Sequence, residues 1–157
     1  MNLQSSHSSA ASRLVKWLGY GGLIPFLGFA ILAWADETRT MLWQGDLRAY
    51  GAVILSFVGA LHWGLAMAPG KIAAKERCAM FAWSVVPSLL AFLALIAHSG
   101  SADILLIGGF LLHCGMDLRI AMRAVLPGWY LPLRIRLSVI AIICLATGAL
   151  APVALSA

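Results

Sequence analysis

Five near-continuous apolar runs, each long enough to cross a bilayer, dominate the chain: Leu14 to Trp34, Leu47 to Ala68, Cys78 to Ala97, Ile104 to Ala121 and Leu133 to Ala154. A helix needs about 17–25 such residues to traverse a hydrocarbon core roughly 30 Å thick, where every backbone N–H and C=O must find its partner within the chain. Strands of a membrane barrel would be about ten residues long, alternating and separated by turns, which these runs are not. The predicted fold class is therefore all-α, an integral membrane bundle of five transmembrane helices in one domain over residues 13–157. Composition excludes a soluble monomer of this size, with 62% hydrophobic and 11% charged residues against about 25% charged in soluble domains. Residues 1–12 hold five serines and too few apolar side chains to pack, so a disordered polar tail is predicted there.

Basic residues set the expected orientation, because Lys and Arg are enriched in cytoplasmic segments. Arg13, Lys16, Lys71, Lys75, Arg77, Arg119, Arg123, Arg134 and Arg136 fall on one side, against Arg39 and Arg48 on the other. Nine against two places the amino terminus in the cytoplasm and the carboxyl terminus outside, as an odd number of spans requires. The implied location is the inner membrane of a bacterium, or the mitochondrial inner membrane of a eukaryote. Ala33-Trp34-Ala35 has the form of a signal-cleavage site. The preceding run is nevertheless long for a signal peptide, contains Pro25 and is followed closely by another span, so it is read as a retained first span. Trp129 and Tyr130, between two prolines and followed by Arg134, have the pattern of interfacial anchors.

The net charge of +5 is accounted for by this orientation signal, and no nucleic-acid partner is expected. The isolated Cys78, Cys114 and Cys144 support neither a disulfide framework nor a metal site. In the second span Ala52, Ser56, Ala60 and Gly64 recur every four residues, a strip of small side chains that predicts close approach of another helix. Pro25 and Pro87 each remove a helical hydrogen bond, and Ser84 and Ser88 could satisfy a freed carbonyl.

Away from the ends of the spans, beyond the basic residues that flank them, lie three ionisable side chains: His62, His113 and Asp117. Such groups usually face the protein interior, since a charge at the bilayer centre costs about 2.5–3.5 kcal/mol even on insertion scales. His113 and Asp117 are four apart on one helix face, and His62 points away from the small-residue strip, toward Gly51, Leu55 and Gly59. All three are expected at similar depth as a polar clamp, joined by an Arg from the fourth region. The competing reading is a proton-handling or quinone-binding site, and two histidines on facing helices could also ligate haem.

The segments Tyr50-Gly51-Ala52-Val53-Ile54-Leu55-Ser56-Phe57, His62-Trp63-Gly64-Leu65, Ser84-Val85-Val86-Pro87-Ser88, Asp117, and Leu126-Pro127-Gly128-Trp129-Tyr130 with Arg134 form a joint pattern. It resembles a family of small integral membrane proteins of unknown function whose animal member is the mitochondrial transmembrane protein 69. The resemblance spans approximately Arg48 to Leu137 and implies a multi-span inner-membrane protein without assigned catalytic residues. Together with the absence of hydrolase, zincin and nucleotide-binding motifs, the expectation is a non-enzymatic accessory or assembly component of a membrane complex. Its expected partners are the lipid bilayer and other membrane proteins or copies of itself, and no cofactor or metal is required. The alternative is a small transporter or lipophilic-ligand binder using His62, His113 and Asp117.

Overall fold

The computed structural model describes residues 13–68, 73–121 and 127–153. The polar tail, the basic residues Lys71 and Arg123, Leu126 and the end of the fifth run at Ala154 lie outside them. Five helices are long and apolar enough to cross a membrane, and no strand occurs among the described residues. The first span, Arg13–Ala35, is helical over 13–21, turns at 22–23 and continues as α1, Ile24–Ala35. The other spans are α2 (Thr40–Met67), α3 (Ala74–Ile96), α4 (Ser99–Ala121) and α5 (Tyr130–Ala149).

The break in the first span follows from Pro25, which lacks the N–H that a continuous helix would direct at residue 21. Leu23 N instead bonds the Tyr20 carbonyl at 3.0 Å, and the Gly22 carbonyl accepts from the Tyr50 hydroxyl of α2 at 2.8 Å. In α3, Pro87 lies mid-helix. The Ser84 hydroxyl donates to Phe81 O at 2.7 Å, not to the Trp83 carbonyl that Pro87 leaves without its usual donor.

Helix boundaries depart most from the hydropathy reading where polar residues are buried. Helix α2 starts at Thr40, seven residues before the apolar run, because its first polar side chains have partners inside the protein. Thr40 Oγ1 donates to Ala33 O at 3.2 Å, and Gln44 Nε2 reaches Gly148 O at 3.0 Å and Ala151 O at 3.3 Å. For the same reason α4 starts at Ser99 and includes Asp103, which Arg48 of α2 grips through Nε at 2.8 Å and Nη2 at 2.9 Å. Helix α5 ends at Ala149, short of the apolar run's end, since Pro152 cannot continue the helical bonding. In the turn between α1 and α2, Asp36 accepts from Thr38 Oγ1 at 2.6 Å and Trp43 Nε1 at 3.2 Å. The Thr38 hydroxyl and then the Trp43 indole hold its carboxyl below the ordinary carboxylate range.

The core centres on Phe26, Leu55, Leu106, Phe110 and Leu145, all buried, with Phe26 edge-on to both Tyr50 and Phe110. A smaller apolar cluster, Ala66, Met80 and Ile120, lies about one turn beyond His62 and Asp117. Helices α2 and α4 run parallel at a nearly constant offset. Arg48 pairs with Asp103 and His62 with Asp117, each 55 residues on, while Gly51 faces Leu106 and Leu55 faces Gly109 between them.

Within the chain this packing uses only part of the small-residue strip. Of its members Ala52 is buried and Ser56 half-buried, but Ala60 and Gly64 are exposed, and nothing stands within 4 Å of a Cβ placed on Gly64. The close approach runs instead through the face carrying Gly51, Leu55, Gly59 and His62, all buried. A Cβ on Gly59 would lie 2.9 Å from Pro87 Cβ and 3.0 Å from the Ser84 carbonyl oxygen, neither of which can rotate away. Gly59→Ala is therefore expected to destabilise the bundle by about 1–3 kcal/mol, the usual cost of overpacking. Gly64→Ala, on the exposed strip, should leave the detergent melting temperature unchanged, and thermal unfolding of both variants checks the contrast.

Candidate functional site

The three ionisable residues singled out from the sequence converge on one point, with Asp117 at its centre. Asp117 is 1% exposed and both histidines are fully buried. His62 Nε2 approaches Asp117 Oδ1 at 2.8 Å, and the Tyr130 hydroxyl donates to the same oxygen at 3.3 Å. Oδ2 accepts from Arg134 Nε at 2.8 Å, while His113 Nε2, one turn back on α4, lies 3.8 Å from it. Trp83 of α3 donates its indole N–H to His113 Nδ1 at 3.3 Å. Residues from α2, α3, α4 and α5 thus meet on one carboxylate or its neighbouring ring.

Local sequence explains the convergence. Heptad-like spacing on α4 puts Leu106, Gly109, Phe110, His113, Asp117 and Ile120 on its buried face, so the polar pair continues an apolar stripe rather than interrupting it. On α5, Arg134 and Ser138 are buried one turn apart, and Tyr130 precedes Arg134 by another turn on that face. Arg134, whose position suggested an interfacial anchor, is instead 7% exposed and bonded to Asp117. A partner guanidinium in the membrane explains the burial: the ion pair removes a net charge that lipid would not solvate. Tyr130 is half-buried and turned to the same carboxylate, and Trp129 is half-buried immediately before α5.

The hydrogen bonds define proton positions. The Asp117 carboxylate can only accept, so His62 carries a proton on Nε2. The Trp83 indole can only donate, so His113 Nδ1 is unprotonated and the proton sits on Nε2. Among the described residues, four buried polar atoms here have no hydrogen-bond partner: His62 Nδ1, His113 Nε2, Arg134 Nη2 and Ser138 Oγ.

By distance alone the cluster could hold a metal ion, since one ligand atom from each of His62, His113 and Asp117 lies within 4.8 Å of the others. The donor chemistry opposes it. A ligating imidazole offers a lone pair and donates its other N–H outward, whereas His113 accepts at Nδ1, leaving its proton on the nitrogen nearest Asp117. Arg134 already compensates the carboxylate, and a cation would stand beside that guanidinium. Haem is disfavoured by the imidazoles themselves, whose centroids lie 4.6 Å apart at 38°, leaving no thickness for a macrocycle between them. A quinone carbonyl would need access that the fully buried rings do not offer.

The pair Arg48 and Asp103 was not anticipated, because Arg48 was read only as one of the two basic residues on the outer side and Asp103 falls just ahead of the fourth apolar run. One signal did exist: Arg48 and His62 are fourteen residues apart on α2, as are Asp103 and Asp117 on α4. Trp83 was also missed, since an indole among apolar residues carries no mark of a polar partner.

The comparisons with known proteins agree with this architecture. The family model described as "Protein of unknown function (DUF3429)" matches residues 11–150. Transmembrane protein 69 of Xenopus tropicalis is 36% identical over 137 residues, covering 86% of this chain and 53% of that relative. The chain thus spans about half the length of the curated relative it matches. No solved structure matches it. With the family model covering nearly the whole transmembrane bundle, the chain belongs to the DUF3429 family of unknown function and is a multi-pass helical membrane protein resembling transmembrane protein 69.

Proposed function

We propose that this protein is a non-enzymatic component of an inner membrane, an accessory or assembly partner for other membrane proteins, in which the Asp117 cluster is a structural clamp. The observation that carries the reading is the saturation of Asp117: both oxygens accept bonds at 2.8 Å and its side chain is 1% exposed. A catalytic or transport carboxylate must meet its substrate, and this one meets only the protein. Many large apolar side chains are exposed around the bundle, Phe57, Trp63, Leu89, Phe92 and Ile104 among them, as contact with lipid or a second membrane protein requires.

One observation favours a second reading, in which the cluster handles protons. The four unpartnered polar atoms are costly in a dry interior, and a chain of bound waters through them would connect Asp117 to a proton path. In that case the charges themselves are required, whereas a clamp needs only that they be matched.

Charge-matched substitution separates the two. Asp117→Asn alone leaves Arg134 buried without a counter-charge and should destabilise the fold by about 3–5 kcal/mol, seen as a fall in detergent melting temperature and folded yield. The double variant Asp117→Asn/Arg134→Gln retains hydrogen-bonding groups and removes both charges, so much of that loss should be recovered. A clamp predicts that the double variant complements a deletion strain, and a folded but non-complementing double variant would instead support proton handling.

The proposed orientation has the amino terminus in the cytoplasm, supported by the basic residues at one set of helix ends. Among the described residues these include Arg13, Lys16, Lys75, Arg77, Arg119, Arg134 and Arg136. A phosphatase fused after Ala157 should be active and a fluorescent protein at the same point dark. The reverse pattern would invert the topology.

A further inference from the structure

A cleft of about 260 Å³ opens between the beginning of the first span and the beginning of α5, lined by Lys16, Tyr20, Trp129, Pro132, Leu133 and Arg136. Both ammonium and guanidinium bearers are exposed, and among the described residues no acidic side chain lines the cleft. The two elements are in contact at this level, for a Cβ on Gly19 would touch the side chains of Leu133 and Leu137. Two cations held across one cleft repel each other unless an anion lies between them.

The position of the cleft specifies the anion's environment. Lys16 is in the first turn of the span Arg13–Ala35 and Arg136 in the second turn of α5, so the site is at the boundary where both helices enter the hydrocarbon. Tyr20 and Trp129 supply aromatic rings of the kind that settle at the headgroup layer. Val139 and Ile143, 47% and 54% exposed on the Arg136 side of α5 one and two turns further in, offer an apolar surface for acyl chains below. Basic pockets between helices at this depth suit anionic headgroups.

We propose that this cleft binds the phosphodiester headgroup of an anionic phospholipid, with Lys16 and Arg136 flanking the phosphate and Trp129 and Tyr20 packing against the glycerol backbone. This goes beyond the clamp, which uses the opposite face of α5. The lipid holds the first span against α5 near the membrane surface.

Delipidated full-length protein in neutral detergent, titrated with phosphatidylglycerol and followed by thermal unfolding, tests the assignment. Phosphatidylglycerol is expected to raise the melting temperature and phosphatidylcholine to leave it unchanged. Lys16→Gln/Arg136→Gln should need roughly thirty-fold more phosphatidylglycerol for the same shift, and each single variant about five-fold more. Lys75→Gln, an exposed basic residue outside the cleft, should respond as the unaltered protein does. Should the double variant not fold, the single variants carry the test. An unchanged titration in the cleft variants, or equal stabilisation by phosphatidylcholine, would overturn the proposal. Inorganic phosphate reproducing the full shift would assign the cleft to a free anion and overturn the lipid assignment.

Discussion

A carboxylate inside a bilayer has no solvent to fall back on, and the arrangement around Asp117 answers that constraint. Its two oxygens draw an imidazole from α2 and a guanidinium from α5, and its neighbour on α4, His113, draws an indole from α3. Lipid tails supply no hydrophobic drive for helix association, so directional contacts weigh more in fixing the arrangement here than they would in water. The apolar packing above and below, Leu55 with Gly109 and Ala66 with Met80 and Ile120, surrounds that point with helices already held at the right separation. The guanidinium also changes what a conservative substitution means: replacing Asp117 by its amide keeps the shape and leaves a positive charge stranded in the membrane.

Much of the fold was legible because hydropathy reports the solvent. Five apolar runs became five spans, and the three interior ionisable residues came together. What hydropathy misplaced was polar sequence that folding buries. The stretch from Thr40 to Asp46 looks like a loop, yet Thr40 and Gln44 are buried and bonded, so the helix runs through it. Arg48 and Asp103, at the edges of their apolar runs, were not read as partners for the same reason. Arg134 and Arg136 show the limit for charge: two residues apart and about 200° around the helix, one is buried on Asp117 and the other lines an exposed cleft. A count of basic residues treats them alike, and only the neighbouring helices distinguish them.

The small-residue strip is only half engaged in internal packing for a related reason. Regular spacing says that a face is smooth, but not what lies opposite. The face that is packed is defined by a rigid partner, Pro87 with the Ser84 carbonyl against Gly59, and its signal is divided between two helices. The rest of the strip is smooth surface left to the membrane.

The equal offset of the polar pairs has a mechanical consequence. Arg48 with Asp103 and His62 with Asp117 stand about 21 Å apart along parallel helices, like two bolts through a pair of rails. Sliding one helix by a turn past the other would shear both pairs at once, so α2 and α4 cannot adapt to a thinner or thicker bilayer by shifting register. Helix α2, 28 residues and about 42 Å long, must instead tilt together with α4 or deform the surrounding lipid. The pair therefore behaves as a stiff gauge of membrane thickness, passing any mismatch to the outer helices and to the lipid that contacts them.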